Sequence, residues 1–146
     1  MKHSESWKNN WKQPEVVHMK PTEWGWVVQY PDLFKLGKYT DIGFGTYINA
    51  KHGVVIEDDV QVGSHASIYS ENSIDDTWGL VVLKKGCMIG SHSVILPGVV
   101  IGENAKVGAF SLVKEDIPAG ATVVGIPARI IGSSKPYPKA DSSLMD

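Results

Sequence analysis

Branched aliphatic residues recur along this chain at intervals of six over most of its length. This interval is neither the period of an α-helix nor the alternation of a simple strand, and repeats of this length are typical of a parallel β-helix. Each hexad would form a short strand and a corner, with its aliphatic side chain pointing to the axis of the coil. Because one hexad cannot bury that side chain alone, successive coils must stack to form a continuous core. The aliphatic positions are Leu36, Ile42, Ile48, Ile56, Val62, Ile68, Ile74, Leu83, Ile89, Ile95, Ile101, Val107 and Val113.

Two interruptions break the hexad register. The step from Ile48 to Ile56 is eight residues, and the step from Ile74 to Leu83 is nine, which predicts a loop over residues 75–79 with Trp78 near its tip. Loops that interrupt a rigid scaffold commonly carry binding residues. Glycine often follows the aliphatic residue, as in Gly63, and we expect it there because it accepts corner torsions that a β-carbon resists.

The regular repeat divides the chain into three predicted segments. Residues 1–35 hold four of the five tryptophans and are predicted to cap the first coil, because an uncovered coil would be a free sheet edge. Recognition of a sugar ring is the alternative role for these aromatic residues. Residues 36–131 are predicted to form an all-β domain, the parallel β-helix. Residues 132–146, rich in Ser, Pro and Lys, are predicted to be a disordered tail.

Composition narrows the classes of function. The net charge is −2 and no long basic run is present, which argues against a nucleic-acid partner. A single cysteine, Cys87, rules out a disulfide within one chain and favours a cytoplasmic location. The polar residues Met1–Gln13 contain no apolar signal core, and no stretch is long and apolar enough to predict a membrane span.

Two stretches carry a resemblance to a known family. Residues 89–131, IGSHSVILPGVVIGENAKVGAFSLVKEDIPAGATVVGIPARII, and residues 63–76, GSHASIYSENSIDD, are similar to hexapeptide-repeat acyltransferases. The resemblance is to the galactoside and maltose O-acetyltransferases and to related sugar or antibiotic acetyltransferases. It implies a left-handed β-helix, a homotrimer with sites between subunits, and acetyl-coenzyme A as co-substrate without a metal. The implied acceptor is a saccharide or nucleotide-linked sugar, used in surface-polysaccharide synthesis.

The same resemblance assigns roles to individual residues. Ser91 matches a position that contacts the pantetheine arm, and Ala109 matches a residue whose backbone amide meets it, with Gly108 and Ser111 on either side. Lys114 and Arg129 match basic positions near the nucleotide phosphates, a role that suits both side chains. On the acceptor side, the strand and loop supply the substrate-binding candidates Tyr69, Asn72 and Trp78.

The catalytic base departs from the family pattern. A sugar hydroxyl needs a base to take its proton, and the family's O-acetyltransferases carry a histidine in a His-Pro-Leu-Asp-like loop. This chain reads Asn72-Ser73-Ile74-Asp75-Asp76 there. His65, at a polar acceptor-contacting position, and His92, beside Ser91, are the remaining histidine candidates. A neutral amine is a better nucleophile than a hydroxyl and depends less on a side-chain base. With an amine acceptor, Asp75 or Asp76 would orient or deprotonate it.

Two other functions remain open at this point. The absent loop histidine also fits a non-catalytic β-helix that serves as a scaffold or assembly module. The γ-type carbonic anhydrases share the fold and bind zinc through three histidines, but His52, His65 and His92 are widely spaced in this sequence.

Overall fold

The computed structural model describes residues 3–133 and 142–145 and shows a left-handed parallel β-helix. The described helices are one short α-helix, α1 (Glu5–Asn9), and the single 3-10 turns Pro31–Leu33 and Ser142–Met145. The first nine strands are β1 (Val27–Gln29), β2 (Phe34–Leu36), β3 (Asp41–Ile42), β4 (Tyr47–Asn49), β5 (Val54–Ile56), β6 (Gln61–Val62), β7 (Ser67–Tyr69), β8 (Glu71–Asn72) and β9 (Thr77–Trp78). The remaining strands are β10 (Val81–Leu83), β11 (Met88–Ile89), β12 (Val94–Ile95), β13 (Val100–Ile101), β14 (Lys106–Val107), β15 (Leu112–Val113), β16 (Ala121–Gly125) and β17 (Ala128–Ser133).

Three sheets surround the core. Sheet 1 has the order β1-β4-β7-β12-β15, sheet 2 the order β2-β5-β10-β13, and sheet 3 the order β3-β6-β11-β14-β16-β17. All pairs within these sheets are parallel except β16 with β17, which closes the last coil as an antiparallel hairpin. Equivalent aliphatic residues pair directly across coils, as Ile48 does with Ile68 and Ile68 with Ile95.

The hexad positions form the core, except that Leu36 is only partly buried against it and Ile74 lies outside it. The sequence prediction is confirmed for the residues from Ile42 to Ile68 and from Leu83 to Val113, which are buried. It is wrong for Ile74, which is 93% exposed. The chain leaves the coil at Ser70 and returns at Gly79, whose amide donates to the Ser70 carbonyl at 2.9 Å. Between them β8 and β9 form an antiparallel hairpin with Ile74 in its turn, so its hexad spacing is coincidental.

The glycine that follows an aliphatic residue has a different role from the one expected. A β-carbon on Gly63 would lie 2.5 Å from the Ser91 nitrogen on the next coil, so Gly63 is required by the close approach of two backbones. The left-handed torsion occurs two residues later. His65 and His92 have φ of 57° and 60°, so the corner strain falls on residues that carry side chains.

The N-terminal segment joins the coil earlier than the repeat suggests. Strand β1 pairs with β4, which brings residues 27–29 into sheet 1 before the first hexad position. Trp26 is buried against Phe34, and the Trp11 indole N–H donates to the Thr40 carbonyl at 2.8 Å. These contacts attach the segment to the first coil, which is compatible with the proposed capping role.

The C-terminal prediction is largely outside the described residues. Gly132 and Ser133, which the prediction placed in the tail, belong to β17. Residues 134–141 and 146 are outside the described ranges. No helix within residues 3–133 and 142–145 is long and apolar enough to cross a bilayer.

Cys87 is a core residue. Its side chain is fully buried, and burial raises the pKa of the thiol to about 12. The thiol is therefore protonated at neutral pH, which makes it a poor nucleophile.

The close contact between coils gives the first prediction. Gly63→Ala should lower the free energy of unfolding by about 1–3 kcal/mol, the usual cost of overpacking, because the backbone of Ser91 cannot move aside without separating the coils. Gly132→Ala is the matched control, since no atom lies within 4 Å of its β-carbon position. Urea unfolding measures both, and equal stability of the two variants would contradict the close-contact explanation.

Candidate functional site

An exposed stack of aromatic rings lies at the corner between sheets 3 and 1. His65, His92 and Phe110 occupy equivalent corner positions on successive coils. The His65 and His92 ring centroids are 5.2 Å apart with 6° between planes, and His92 and Phe110 are 4.7 Å apart and parallel. Phe44 approaches His65 edge-on at 5.7 Å. We call Phe44, His65, His92 and Phe110 the ring column.

Both imidazoles of the ring column are accessible. His65 and His92 are exposed, and neither ring makes a hydrogen bond to another residue that the structure describes. Their nitrogens can therefore meet a ligand at the surface. No carboxylate orients either ring within residues 3–133, so the role of His65 as a base stays a prediction.

The predicted pantetheine contacts lie beside this column. Ser91 precedes His92, and Ala109 precedes Phe110. The exposed Ala109 amide has no acceptor among the described residues, which leaves it able to donate to a ligand. Gly108 lacks space for a β-carbon because the Val124 side chain lies against it.

Ser111 has a structural role in the same coils. Its side chain is 2% exposed, its hydroxyl donates to the Gly108 carbonyl at 2.7 Å, and it accepts from the Gly125 amide at 3.1 Å. The Ser93 hydroxyl donates to the same carbonyl at 2.9 Å. The predicted cofactor contact by Ser111 would require these internal bonds to be given up.

A second group of polar side chains surrounds the base of the β8–β9 hairpin. The His52 Nε2 atom lies 3.4 Å from Glu71 Oε1, and the imidazole stacks on Trp78 with 5.2 Å between centroids. Lys51 Nζ lies 3.4 Å from the same Glu71 oxygen. The Ser70 hydroxyl fixes the His52 backbone by accepting from its amide at 3.0 Å. We call Lys51, His52, Glu71 and Trp78 the hairpin cluster.

Sequence reasoning missed His52 and Glu71 as a pair, although a signal was present. His52 follows β4 at the first interruption of the hexads, and Glu71 follows β7 at the start of the second. Because β4 and β7 are neighbours in sheet 1, both interruptions project from the same corner.

The predicted loop residues mainly shape the hairpin turn. Asp75 Oδ1 accepts from the Thr77 amide at 3.3 Å and from its hydroxyl at 2.7 Å, while Asn72 Oδ1 accepts from the Ile74 amide at 3.2 Å. Asp76 has a left-handed φ of 57° in the same turn. Of the other substrate candidates, Trp78 is 67% exposed on the hairpin.

Tyr69 lies on the outer face of sheet 1, with its ring centroid 5.7 Å from that of Tyr47. The Tyr47 hydroxyl donates to Gln29 Oε1. Burial raises the pKa of Tyr47, so this phenol is protonated at neutral pH and remains a donor. The face beside the hairpin cluster thus presents aromatic rings together with uncharged polar groups.

Lys114 and Arg129 meet in one cleft at the last-coil end of the molecule. The cleft has a volume of about 470 Å³ and is also lined by Glu115 and Asp116. The Asp116 carboxylate accepts from the Val100 amide at 2.9 Å. Neither cation forms an ion pair among the described residues, so both remain available for anionic oxygens.

The family description "bacterial transferase hexapeptide (six repeats)" matches residues 81–115. Among solved structures, the N-acyltransferase AntD from Bacillus cereus, in complex with dTDP and 3-hydroxybutyryl-CoA, is 30% identical with a TM-score of 0.62. That match covers 76% of this chain and 71% of AntD. The chain belongs to the hexapeptide-repeat acyltransferase family.

A second solved member of the family is the acetyltransferase VCA0836 from Vibrio cholerae, complexed with acetyl-coenzyme A. It is 28% identical with a TM-score of 0.71, and the match covers 76% of this chain and 66% of VCA0836.

Curated relatives of this hexapeptide-repeat protein differ in their acceptors. A serine acetyltransferase from Buchnera aphidicola is 34% identical, and the match covers 66% of this chain and 38% of the relative. The galactoside O-acetyltransferase of Escherichia coli is 34% identical, and the match covers 71% of this chain and 59% of that enzyme. A dTDP-3-amino-3,6-dideoxy-alpha-D-galactopyranose 3-N-acetyltransferase from Aneurinibacillus thermoaerophilus is 51% identical. That match covers 39% of this chain and 30% of the relative. The chain spans less than two thirds of each of these relatives.

The histidines of this hexapeptide-repeat protein do not converge as metal ligands. His52 lies at the corner after sheet 1, whereas His65 and His92 lie at the corner before it. Within residues 3–133 and 142–145, no three His, Cys, Asp or Glu side chains form a group able to hold a metal ion. The arrangement therefore gives no support to a three-histidine zinc site.

Proposed function

We propose that this hexapeptide-repeat protein transfers an acetyl group from acetyl-coenzyme A to a hydroxyl or amine of a sugar or nucleotide-linked sugar. The observation that carries the proposal is the exposed corner where the free Ala109 amide and Ser91 lie beside the ring column. The acyl-CoA complexes of AntD and VCA0836 support the choice of donor. We place this reaction in surface-polysaccharide synthesis in the cytoplasm.

The cofactor would be held by groups already present in the chain. Ser91 and the Ala109 amide would bind the pantetheine arm, and Lys114 and Arg129 would bind phosphate oxygens. When bound, acetyl-coenzyme A supplies an acetyl thioester and a thiolate leaving group. The cations suit this role because a flexible ammonium and a forked guanidinium both donate to phosphate.

Proton removal is assigned to the hairpin cluster. The acceptor O–H or N–H gives its proton to a base as its oxygen or nitrogen bonds to the acetyl carbon, and the C–S bond then breaks to release the thiolate. His52 is favoured because Glu71 orients it, the arrangement expected of an activated base. With Nε2–H directed at Glu71, Nδ1 is the proton acceptor. His65, the base predicted from sequence, is the alternative.

A sugar acceptor is favoured by the surroundings of the hairpin cluster. Trp78 and Tyr69 present aromatic faces, and Asn72 offers amide atoms beside them. Aromatic faces beside hydrogen-bonding groups suit a pyranose, and the charges of Lys51 and Glu71 are paired with each other rather than offered to a zwitterion. The relative that acts on a dTDP-linked amino sugar adds support for a nucleotide-linked acceptor.

A homotrimer completes the proposal. The ring column and the hairpin cluster flank opposite edges of sheet 1, and we propose that a site using both is formed by two copies of the chain. A heterologous contact of this kind gives a ring when its rotation closes, and a three-fold rotation gives the trimer. Exposed apolar side chains at both edges, including Phe110 and Trp78, favour such a contact.

Light scattering tests the assembly directly. We expect a mass of three times the 15.9 kDa chain at micromolar concentration. A stable monomer under these conditions would exclude a site that is built from two copies.

Cofactor binding is tested by thermal stability. Acetyl-coenzyme A at a hundredfold excess over its dissociation constant should stabilise the folded state by about 2.7 kcal/mol. The combined Lys114→Ala and Arg129→Ala changes should reduce the melting shift strongly, whereas Lys84→Ala, at a different corner, should leave it intact. An absent shift would favour the non-catalytic scaffold, and a shift equal in all variants would exclude Lys114 and Arg129 from the cofactor site.

Turnover of the variants identifies the base. His52→Ala should lower turnover about a hundredfold or more, the usual loss when a general base is removed. Glu71→Gln should lower turnover less, since it removes only the orienting carboxylate. His65→Ala should lower turnover by less than tenfold. A steady-state acetylation assay with an amino sugar measures all three, and the reverse order for His52 and His65 would assign the base to His65.

A further inference from the structure

A cleft separate from the proposed acyl-transfer site lies between the N-terminal segment and the first coil. Its volume is about 490 Å³, within the range of about 300–1,000 Å³ that is usual for small-molecule sites. Four of the five tryptophans of the chain, Trp7, Trp11, Trp24 and Trp26, line it. A capping function alone would be served by buried rings, yet Trp24 is exposed at the cleft.

The rings of the cleft are held in place by the protein. Trp26 is 2% exposed and packs on Phe34 with 6.2 Å between ring centroids. The bond from the Trp11 indole to the Thr40 carbonyl fixes a second ring. The Trp26 indole N–H makes no hydrogen bond to any residue that the structure describes. This nitrogen is not among the fully enclosed unpaired atoms of the described residues, so it is open to a ligand acceptor.

The rim of the cleft supplies hydrogen-bond acceptors. The Asn10 side-chain amide donates to the Ser6 carbonyl at 2.8 Å, which leaves its own oxygen free to accept. Asp41 Oδ2 lies 3.1 Å from His3 Nε2, and the carboxylate is 48% exposed. Its second oxygen therefore has room for a hydroxyl donor.

We propose that this cleft binds a saccharide of one or two pyranose rings. The C–H faces of a pyranose would pack on the indole faces, a ring hydroxyl would accept from Trp26, and other hydroxyls would donate to Asn10 and Asp41. A wholly apolar ligand would leave the Trp26 N–H unpaired. An anionic ligand would meet the Asp41 carboxylate.

The segment that carries Trp24 and Trp26 also contacts the first-coil end of the ring column. Gly25, between Trp24 and Trp26, lies against the Phe44 ring, and its carbonyl accepts from the Gly45 amide at 3.1 Å. A saccharide held here would be close to that corner. The binding site itself does not depend on acyl transfer, and it is tested without acetyl-coenzyme A.

Calorimetric titration with maltose, cellobiose and chitobiose tests the proposal, with sorbitol as a polyol that has no ring to stack. At least one disaccharide should bind saturably and change the tryptophan fluorescence. Trp24→Ala should weaken that binding tenfold or more, and Trp26→Phe, which keeps a ring but removes the N–H, should also weaken it. Leu33→Ala, an exposed apolar position outside the cleft and outside the proposed acyl-transfer site, is the matched control and should bind normally.

Thermal melting separates loss of binding from loss of folding, and Trp24→Ala is expected to melt like the parent because its side chain is partly exposed. Three results would overturn the proposal: no saturable binding by any of the disaccharides, unchanged affinity in Trp24→Ala, or equal binding of sorbitol. If the protein binds a saccharide in this cleft but shows no acetylation activity, the proposed acyl transfer would be wrong and the saccharide site would stand.

Discussion

The close approach of successive coils is the constraint on which the rest of this structure depends. At Gly63 the backbone of one coil lies so near Ser91 on the next that a side chain has no room. This contact holds the coils in register, and register places equivalent residues directly above one another. The aliphatic core and the exposed ring column are two results of the same alignment, one inside the coil and one outside. His65 and His92 stack because their backbones do.

This constraint explains how far the sequence could predict the fold. The spacing of aliphatic residues follows the geometry of the coil, because each strand turns one such side chain toward the axis. The predicted β-helix and nearly all of its core positions are therefore confirmed. Ile74 fails because spacing records where a side chain would lie only while the chain stays in the coil. The glycine prediction placed the corner torsion two residues too early, since a small residue can be required by space or by φ, and sequence alone does not distinguish them.

The candidate site was predictable only in part, for a related reason. The resemblance marked Lys114 and Arg129 separately, and the antiparallel return of β17 brings them to one cleft. The contact of His52 with Glu71 depends on the length and direction of two interruptions of the repeat. Such contacts are decided by how irregular segments fold back, which hexad periodicity does not encode. The catalytic role of each of these residues stays a prediction.

The positions of the two exposed groups connect fold to assembly under the proposed function. The ring column lies where the chain enters sheet 1, and the hairpin cluster lies where it leaves. The stacked strands of sheet 1 separate them, and close coil packing leaves the chain little freedom to bend them together. Under the proposed function, a pantetheine arm held at the ring column of one copy would meet a base held at the hairpin cluster of a second copy. The proposed trimer would in this sense follow from a rigid coil, because a single coil keeps the ring column and the hairpin cluster on opposite edges of sheet 1.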